Sequence, residues 1–263
     1  MLIDFHTHCF PDVLAERAIS KLAAVSQTEP LTCGTASDLI RKMDECGVDR
    51  AVVCNIATNP HQQEKVNNFA IELNSDPHFI SLGSVHPASD CIEVELTRLK
   101  NAGIKGVKLH PDYMGYMIDD PAFEPILGKC TELGLFVIIH AGYDVISPDL
   151  VHAPPEKIRK VQDKFPDLTL VAAHFGACRM WDEVLEHLAG SSVYLDTSLC
   201  YSFGLDKVKA EKIIGEHDPD RILFGSDLPW SCPGETRKYI DSLSLTEEIK
   251  NKIYFENALN LLK

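Results

Sequence analysis

Short apolar runs recur along the whole chain, and longer mixed segments separate them. Most of the runs are nearly continuous in Val, Ile, Leu and Ala, without the polar alternation of a half-exposed strand. This pattern predicts strands that are covered on both faces, as in a parallel sheet. The eight predicted strands are residues 2–6, 50–57, 79–86, 104–110, 135–142, 168–176, 192–198 and 221–230.

The segments between the runs have helical patterns. The segment "TASDLIRKMDECG" begins with capping residues and stops at a glycine, and "DKVKAEKIIGEH" and "LTEEIKNKIYFENALNLL" also predict helices. "PDVLAERAISKLAAVS" predicts an extra helix in the first connection. Strand–helix alternation repeated eight times predicts a single-domain (β/α)8 TIM barrel over residues 1–263. The alternative is an open doubly wound sheet, but the glycine-rich phosphate turn usual in such sheets is absent.

Composition restricts the partners and the compartment. The net charge of −14 argues against nucleic acid and anionic membrane surfaces as partners, since both bind clustered Lys and Arg, but it says little about the substrate. No stretch approaches the roughly 18 apolar residues of a membrane span, and the first residues lack the pattern of a signal peptide. The nine scattered cysteines include no C-x-x-C pair. They predict free thiols in a reducing compartment, and hence a cytoplasmic protein.

The residues at the ends of the runs carry the candidate chemistry, because active sites of TIM barrels lie at the carboxyl ends of the strands. A polar residue at a strand end is common, but five of the eight runs end on histidine. In chain order the polar end residues are His6 and His8, Asn55, His86, Lys108 and His110, His140, His174, Asp196, and Asp227.

The alternation of side chains along a strand predicts which of these residues face the barrel interior. Val107 and Leu109 are bulky and are expected to meet helices. The inward sets are then Ile104, Gly106, Lys108 and His110 in the fourth run, Ile138 and His140 in the fifth, and Leu223, Gly225 and Asp227 in the eighth. The polar ends are therefore expected to converge on one point.

Several imidazoles and a carboxylate at one buried point are unfavourable unless they are paired, and a divalent metal ion supplies the partner. Three neutral imidazoles and one carboxylate favour Zn²⁺, with Mn²⁺, Fe²⁺ and Co²⁺ as less specific alternatives. A site with one open position also lowers the pKa of water toward about 7.

This pattern resembles the amidohydrolase superfamily: H-x-H after the first strand, single histidines ending the fifth and sixth, and an aspartate ending the eighth. The segments "GVKLHP", "AHFGACRMWDEV", "LFGSDLPW" and "IYFENALNLL" are similar to its amidohydrolase-2 branch. That branch includes aminocarboxymuconate-semialdehyde decarboxylase, resorcylate-type decarboxylases and lactone hydrolases. The resemblance covers nearly the whole chain.

The resemblance implies one divalent metal per chain, with His6, His8, His140 and Asp227 as its ligands. It also implies that Asp227 accepts a proton from water. His174 matches a residue that polarises the substrate or holds water in mononuclear members, and binds a second metal in binuclear ones. A mononuclear site is expected here, and homodimers are common in the branch.

Four further residues are candidates for substrate binding. Lys108 occupies a position where some relatives carry a carbamylated lysine, but a lysine paired with a carboxylate at the mouth is favoured. His110 is expected to be structural or to face the substrate. Arg179 either binds a substrate carboxylate or forms a loop salt bridge, and Trp230 is expected to line the pocket. The remaining histidines expected at the surface are His61, His78, His152, His187 and His217.

The predicted function is that of a metal-dependent hydrolase, in which activated water attacks a small amide, lactone or cyclic carboxylic acid. The rival interpretation is a metal-dependent decarboxylase of a small aromatic or muconate-like acid that uses the same residues. A rival of another class is a non-catalytic barrel that binds a metal or ligand, which the intact Asp227 disfavours.

Overall fold

The computed structural model describes all 263 residues and confirms eight parallel strands at the eight predicted runs, with β1 extending one residue beyond its run. The other seven strands are shorter than their runs, because each of those runs continues into the loop at the carboxyl end of its strand. Their bounds are β1 Ile3–Thr7, β2 Arg50–Cys54, β3 Phe79–Leu82, β4 Gly106–Leu109, β5 Phe136–Ile139, β6 Leu170–Ala172, β7 Tyr194–Asp196 and β8 Ile222–Leu223.

Helices follow the strands and cover the outside of the sheet. Their bounds are α1 Asp12–Ser26, α2 Ala36–Cys46, α3 Gln63–Leu73, α4 Ile92–Asn101, α5 Pro111–Met114, α6 Glu124–Leu133, α7 Pro155–Lys164, α8 Trp181–His187, α9 Lys207–Glu216, α10 Pro233–Asp241, α11 Glu247–Asn251 and α12 Asn257–Leu261. As predicted, α2 is capped by Thr35, which accepts from the Asp38 amide, and stops at Gly47 in the left-handed conformation.

The sheet closes into a barrel. Strands β1 to β3 pair in order, and so do β4 to β8. Single bridges join the two groups, between Gly83 and Val107 on one side and between Thr7 and Leu228 on the other. The amide of Phe5 donates to the Phe224 carbonyl at 2.7 Å, which reinforces the second closure. No open edge remains, so the doubly wound alternative is wrong.

Side chains of the strands divide between two apolar clusters, as alternation requires. Ile138 and Leu223 belong to an interior cluster of 11 buried residues, and Val107 and Leu109 belong to the cluster of 51 that packs against helices. Ile104 also belongs to the outer cluster, so its predicted inward position is wrong. The reason is that β4 begins only at Gly106, and strand alternation does not apply before it.

The carboxyl-terminal helical segment, predicted as one helix, is interrupted by a π-helical turn at Lys252–Glu256 between α11 and α12. The Ile253 carbonyl in this turn accepts from the Phe224 amide at 2.9 Å. Ala258 of α12 packs with the interior cluster. The chain end therefore fills the amino-terminal mouth of the barrel, and the opposite mouth remains for chemistry. No helix of the chain has the length and apolarity needed to cross a membrane.

Candidate metal centre and active site

Five imidazoles form a continuous row at the carboxyl ends of the strands. They come from β1, from its end, and from the loops after β4, β5 and β6. Successive ring centroids lie 5.2, 5.2, 4.7 and 4.2 Å apart in the order His8, His6, His174, His140, His110. Four of the five are buried and His8 is nearly so. The predicted convergence is therefore confirmed for four of the five runs that end on histidine. It is wrong for His86 of the third run, whose ring lies beside Tyr116 with the centroids 6.2 Å apart.

An irregularity in β1 helps to place the histidine pair. Pairing with β2 matches Asp4 with Ala51 but Thr7 with Val53, so β1 carries one extra residue between these points. Such β-bulges re-aim side chains and are common beside active sites. As a result Phe5 packs in the barrel interior while the next residue, His6, also reaches the site.

Three donor atoms converge at one end of the row. Oδ1 of Asp227 lies 3.3 Å from Nε2 of His6 and 3.0 Å from Nε2 of His8. Ligands of a tetrahedral metal with bonds of about 2.0–2.1 Å are separated by roughly 3.3 Å. The spacing and the chemistry of these donors therefore fit a divalent metal such as zinc.

The hydrogen bonds behind the two histidines fix which nitrogen is free. Nδ1 of His6 donates to Oδ2 of Asp196 at 2.9 Å, and Nδ1 of His8 donates to the Cys54 carbonyl at 2.9 Å. In both residues Nε2 is the ring nitrogen that faces the Asp227 carboxylate. Burial, with the nearby Lys108 charge, holds the pKa of His6 well below its usual value, so this ring is neutral. An acceptor behind Nδ1 that leaves Nε2 directed at the site is the usual arrangement of a metal-binding histidine.

His140 and His174 form the middle of the row. Nε2 of His174 lies 3.0 Å from Nδ1 of His140, and Nδ1 of His174 lies 2.8 Å from Oγ of Ser198. Nε2 of His140 lies 3.2 Å from Oδ2 of Asp144 but makes no hydrogen bond. Burial lowers the pKa of His140 to about 4 and that of His174 well below its usual value.

The grouping of donors differs in one respect from the predicted ligand set. His6, His8 and Asp227 place donor atoms within 4.8 Å of one another, whereas His140 forms a separate group with His110 and Asp144. His140 is adjacent to the three-donor group through His174 but is not a member of it. Its role as a fourth ligand therefore stays a prediction.

Lys108 lies on the inward face of β4, as expected, but its predicted environment is wrong. The side chain is fully buried, and Nζ donates to Nε2 of His6 at 3.1 Å. No carboxylate oxygen lies within 4.0 Å of its ammonium. This lysine instead sits below the mouth, against a histidine.

The other substrate-binding candidates also lie at this end of the barrel. His110 stacks on His140 and faces Oδ2 of Asp144 at 3.4 Å. Arg179 forms no salt bridge, so that alternative is wrong. Its guanidinium lies between the rings of Tyr143 and Phe203, with its central carbon 4.7 and 4.6 Å from their centroids.

Trp230 lies half-buried on the turn after β8. Its backbone amide donates to the Asp227 carbonyl at 2.8 Å, and its indole N–H makes no hydrogen bond within the chain. The structure therefore connects Trp230 to the site through its backbone.

Two strained backbone positions support the site. His174 and Asp227 have φ values of 62° and 73°, in the left-handed region that non-glycine residues rarely adopt. The indole of Trp181 donates to the His174 carbonyl at 3.3 Å, and the Asp227 amide donates to the His6 carbonyl at 2.8 Å. Strain of this kind clusters at functional sites, where the surrounding structure holds it.

Three polar side chains of the site were not predicted from the sequence. Ser198 donates to Asp196 and contacts the Nδ1 atoms of both His6 and His174. Asp144 faces His140 and His110, and Trp181 holds the His174 backbone. The sequence carries only a weak indication of two of these residues. Ser198 lies two residues after the strand-end aspartate Asp196, and Asp144 lies four residues after His140.

Two histidines expected at the surface are buried. His152 pairs through Nδ1 with Oδ1 of the buried Asp112 at 2.9 Å, and His217 is held by the Val193 carbonyl at 3.0 Å. Neither lies in a predicted strand, so the run pattern gave no signal of their burial. The Asp112 contact ties the loop after β5 to α5, beside His110.

Asp227 is ionised at neutral pH. Burial alone would raise its pKa, but the neighbouring His6 and His8 outweigh burial and lower the pKa below its usual value. Asp144 behaves in the same way: burial opposes ionisation, but the contacts with His110 and His140 hold its pKa well below the usual range. The row of imidazoles is therefore flanked by two anionic carboxylates.

The sequence is similar to that of a known protein family and to that of one characterised enzyme. A family model described as Amidohydrolase matches residues 3–263. The 4-sulfomuconolactone hydrolase of Rhizobium radiobacter is 25% identical over 239 residues, which cover 87% of this chain and 75% of that protein.

Solved structures share the fold. A TIM-barrel protein of Bordetella bronchiseptica superposes with a TM-score of 0.78 at 20% identity, over 99% of this chain and 98% of that one. A 5-carboxyvanillate decarboxylase of Novosphingobium aromaticivorans, solved with bound manganese, superposes with a TM-score of 0.72 at 14% identity, over 100% and 97% of the two chains. At these identities the likeness shows the (β/α)8 fold, and it confirms the predicted barrel.

Proposed function

Because the chain belongs to the amidohydrolase family, we propose that it is a metal-dependent hydrolase acting on a small amide, lactone or cyclic carboxylic acid. The observation that carries the proposal is the convergence of His6, His8 and Asp227. Oδ1 of Asp227 lies 3.0–3.3 Å from Nε2 of each histidine, and each imidazole is fixed from behind by a hydrogen-bond acceptor. This arrangement is typical of metal-binding histidines.

His6, His8 and Asp227 would hold the metal, with His140 as the fourth ligand. A borderline donor set of imidazoles and carboxylate suits zinc, and the same set accommodates Mn²⁺, Fe²⁺ or Co²⁺. The manganese in a structural neighbour supports a divalent ion without selecting zinc. When bound, such an ion polarises a carbonyl group and makes water more acidic.

The residues of the chain then divide the remaining tasks. Asp227 is ionised and buried, so its second carboxylate oxygen can accept a proton from water and return it to the leaving group. His174 is neutral and lies beside His6, where it can hold water or polarise the substrate carbonyl. The buried Lys108 ammonium adds positive charge where negative charge develops on the substrate.

Substrate recognition is assigned to Arg179, His110 and Trp230 at the mouth. Arg179 has no carboxylate partner and is held between two aromatic rings, so its planar guanidinium is available for an anionic group of the substrate. The name of the Rhizobium radiobacter relative, which specifies a sulfonated muconolactone, supports an anionic lactone as the first class to test.

Decarboxylation of a small carboxylic acid is the second candidate, and the same Arg179 favours it, since such an enzyme must grip a carboxylate. The decarboxylase among the structural neighbours supports it through the fold. In that reaction the carbon–carboxylate bond breaks, CO₂ leaves, and a proton from His174 or water replaces it on carbon.

A substrate panel of anionic lactones, cyclic amides and aromatic acids, offered to metal-loaded protein, separates the candidates. Ring-opened acid without CO₂ supports the hydrolase, and CO₂ release supports the decarboxylase. Tight metal binding without turnover of any panel member would favour the non-catalytic barrel and overturn the proposal.

A further inference from the structure

One pair of cysteines, far from each other in sequence, meets at the surface of the barrel. Sγ of Cys46 and Sγ of Cys232 lie 4.0 Å apart, although 186 positions separate the two residues. All nine cysteines are free thiols, and this is the one contact between two sulfurs in the chain. Both residues are partly exposed, so small oxidants in solution can reach them.

The positions of the two residues connect the pair to the active site. Cys46 is the last residue of α2, and Cys232 immediately precedes α10. Cys232 lies five residues after Asp227, at the end of the turn that also carries Trp230. A covalent bond between the sulfurs would therefore link α2 to the turn that positions Asp227.

The local geometry leaves room for the sulfurs to approach. A disulfide has a length of about 2.05 Å, so the sulfurs must move together by roughly 2 Å, within the reach of rotation about the Cα–Cβ bonds. Gly234, in the first turn of α10, borders both atoms. A methyl group there would lie 3.5 Å from the Cys46 sulfur and 3.7 Å from the Cys232 sulfur. Since glycine has no side chain, this space is open.

The other partly or fully exposed cysteines lack such a partner. The sulfur of Cys33 contacts the Thr35 hydroxyl at 3.4 Å, and the sulfur of Cys91 contacts the Ser89 hydroxyl at 3.4 Å. The five remaining cysteines are buried. Exposed single thiols form mixed adducts on oxidation, whereas a thiol beside another thiol closes an internal disulfide.

We propose that Cys46 and Cys232 are an oxidation site that closes an intramolecular disulfide on exposure to a peroxide. In the first step one thiolate attacks the peroxide O–O bond, which gives a sulfenic acid and water. In the second step the other thiol attacks that sulfur, so the S–S bond forms and a second water leaves. Overall, two thiols and one hydrogen peroxide give one disulfide and two waters, so the thiols are oxidised by two electrons and both peroxide oxygens leave as water.

Hydrogen peroxide added to the full-length protein at a low molar excess tests the proposal. Thiol titration in denaturant should fall from nine groups to seven. Non-reduced peptide mapping should show one cross-linked pair, containing Cys46 and Cys232, whose mass is lower by two hydrogen atoms. The melting temperature should rise, because the link closes a long loop of the unfolded chain. Nine remaining thiols, or a loss spread over other cysteines, would overturn the proposal.

Three variants make the result specific. Cys46→Ser and Cys232→Ser should each abolish the cross-link, and the surviving cysteine should be trapped as a sulfenic acid by a dimedone-type probe. Cys33→Ser, which removes an exposed thiol without a sulfur neighbour, should keep the Cys46–Cys232 peptide pair. A cross-linked pair that persists in Cys46→Ser would contradict the assignment. The outcome does not depend on the substrate or the metal, so it stands apart from the proposed function.

Discussion

Nδ1 of His6 lies 2.9 Å from Oδ2 of Asp196, and this contact joins the end of β1 to the end of β7 across the active site. Asp196 is fully buried, and its other oxygen accepts from the backbone amides of His174 and Ser198. One carboxylate therefore holds the imidazole of His6 and the backbone of His174. Its charge also makes the opposite nitrogen of His6 a better metal ligand.

Removal of the Asp196 charge is expected to weaken metal binding without removing a ligand. Asp196→Asn keeps the shape of the side chain, and loss of such a partner typically costs 10–100-fold in metal affinity. Competition with a chromophoric chelator measures it. Asp182→Asn, at an exposed carboxylate paired with Lys209, is the matched control and should leave affinity unchanged. Equal affinities in the Asp196→Asn variant and the wild type would remove Asp196 from this role.

Asp227→Asn should separate metal binding from chemistry. The amide oxygen can still contact the metal, but the side chain cannot accept a proton near neutral pH. Turnover should fall by about 10²–10⁴-fold, the usual loss for a general base, while metal remains bound. Turnover of the first active panel substrate and metal content are measured on the same sample. Near-normal turnover with metal bound would transfer the proton-accepting role to His174.

Arg179→Met should raise KM for an anionic substrate by about tenfold, since a charge-assisted hydrogen bond contributes roughly 1.5–3 kcal/mol and exposure reduces it. kcat, and turnover of an uncharged analogue, should change little. Arg159→Met, at an exposed arginine paired with Asp163, is the matched control. If KM for the anionic and the uncharged substrate rise together, Arg179 does not bind the anion.

The metal-free protein should lose stability as pH falls below about 6.5. The pKa values of His6, His140 and His174 are lowered in the folded state, so the unfolded chain binds more protons in this range and acid favours unfolding. His140, with a folded pKa of about 4, contributes roughly 2 kcal/mol between pH 7.5 and 5.

Asp4 acts in the opposite direction, because burial raises its pKa to about 7, but one carboxylate does not offset three histidines. Urea unfolding of chelator-treated protein at pH 7.5 and pH 5 measures the balance. An unfolding free energy that is equal or greater at pH 5 would contradict the prediction.

The sequence was sufficient for the barrel because each strand is a short apolar run with a polar end, and this pattern depends on local residues alone. The convergence of His6, His8 and Asp227 followed from the fold, since the carboxyl ends of all strands meet at one mouth. Lys108 was placed correctly on the inward face of β4 by alternation. Its contact with His6 was not predictable, because the contact joins two strands that are not neighbours.

Other features also depended on tertiary structure. The extra residue in β1 changes the direction of His6, and nothing in "IDFHT" marks a bulge. Ser198 and Asp144 act through histidines on other strands, so their roles appear only when those strands are brought together. The contact between Cys46 and Cys232 joins distant parts of the chain. In each case the sequence supplied the residue, and the packing of the barrel supplied its partner.

The number of metal ions per chain tests the central claim most directly. Elemental analysis of protein purified without chelators should find about one divalent ion per wild-type chain, and much less in His6→Ala, which loses a ligand. Two ions per chain would contradict a mononuclear site. A wild-type content near zero that added Zn²⁺, Mn²⁺ or Fe²⁺ does not restore would contradict the assignment of His6, His8 and Asp227 as a metal centre.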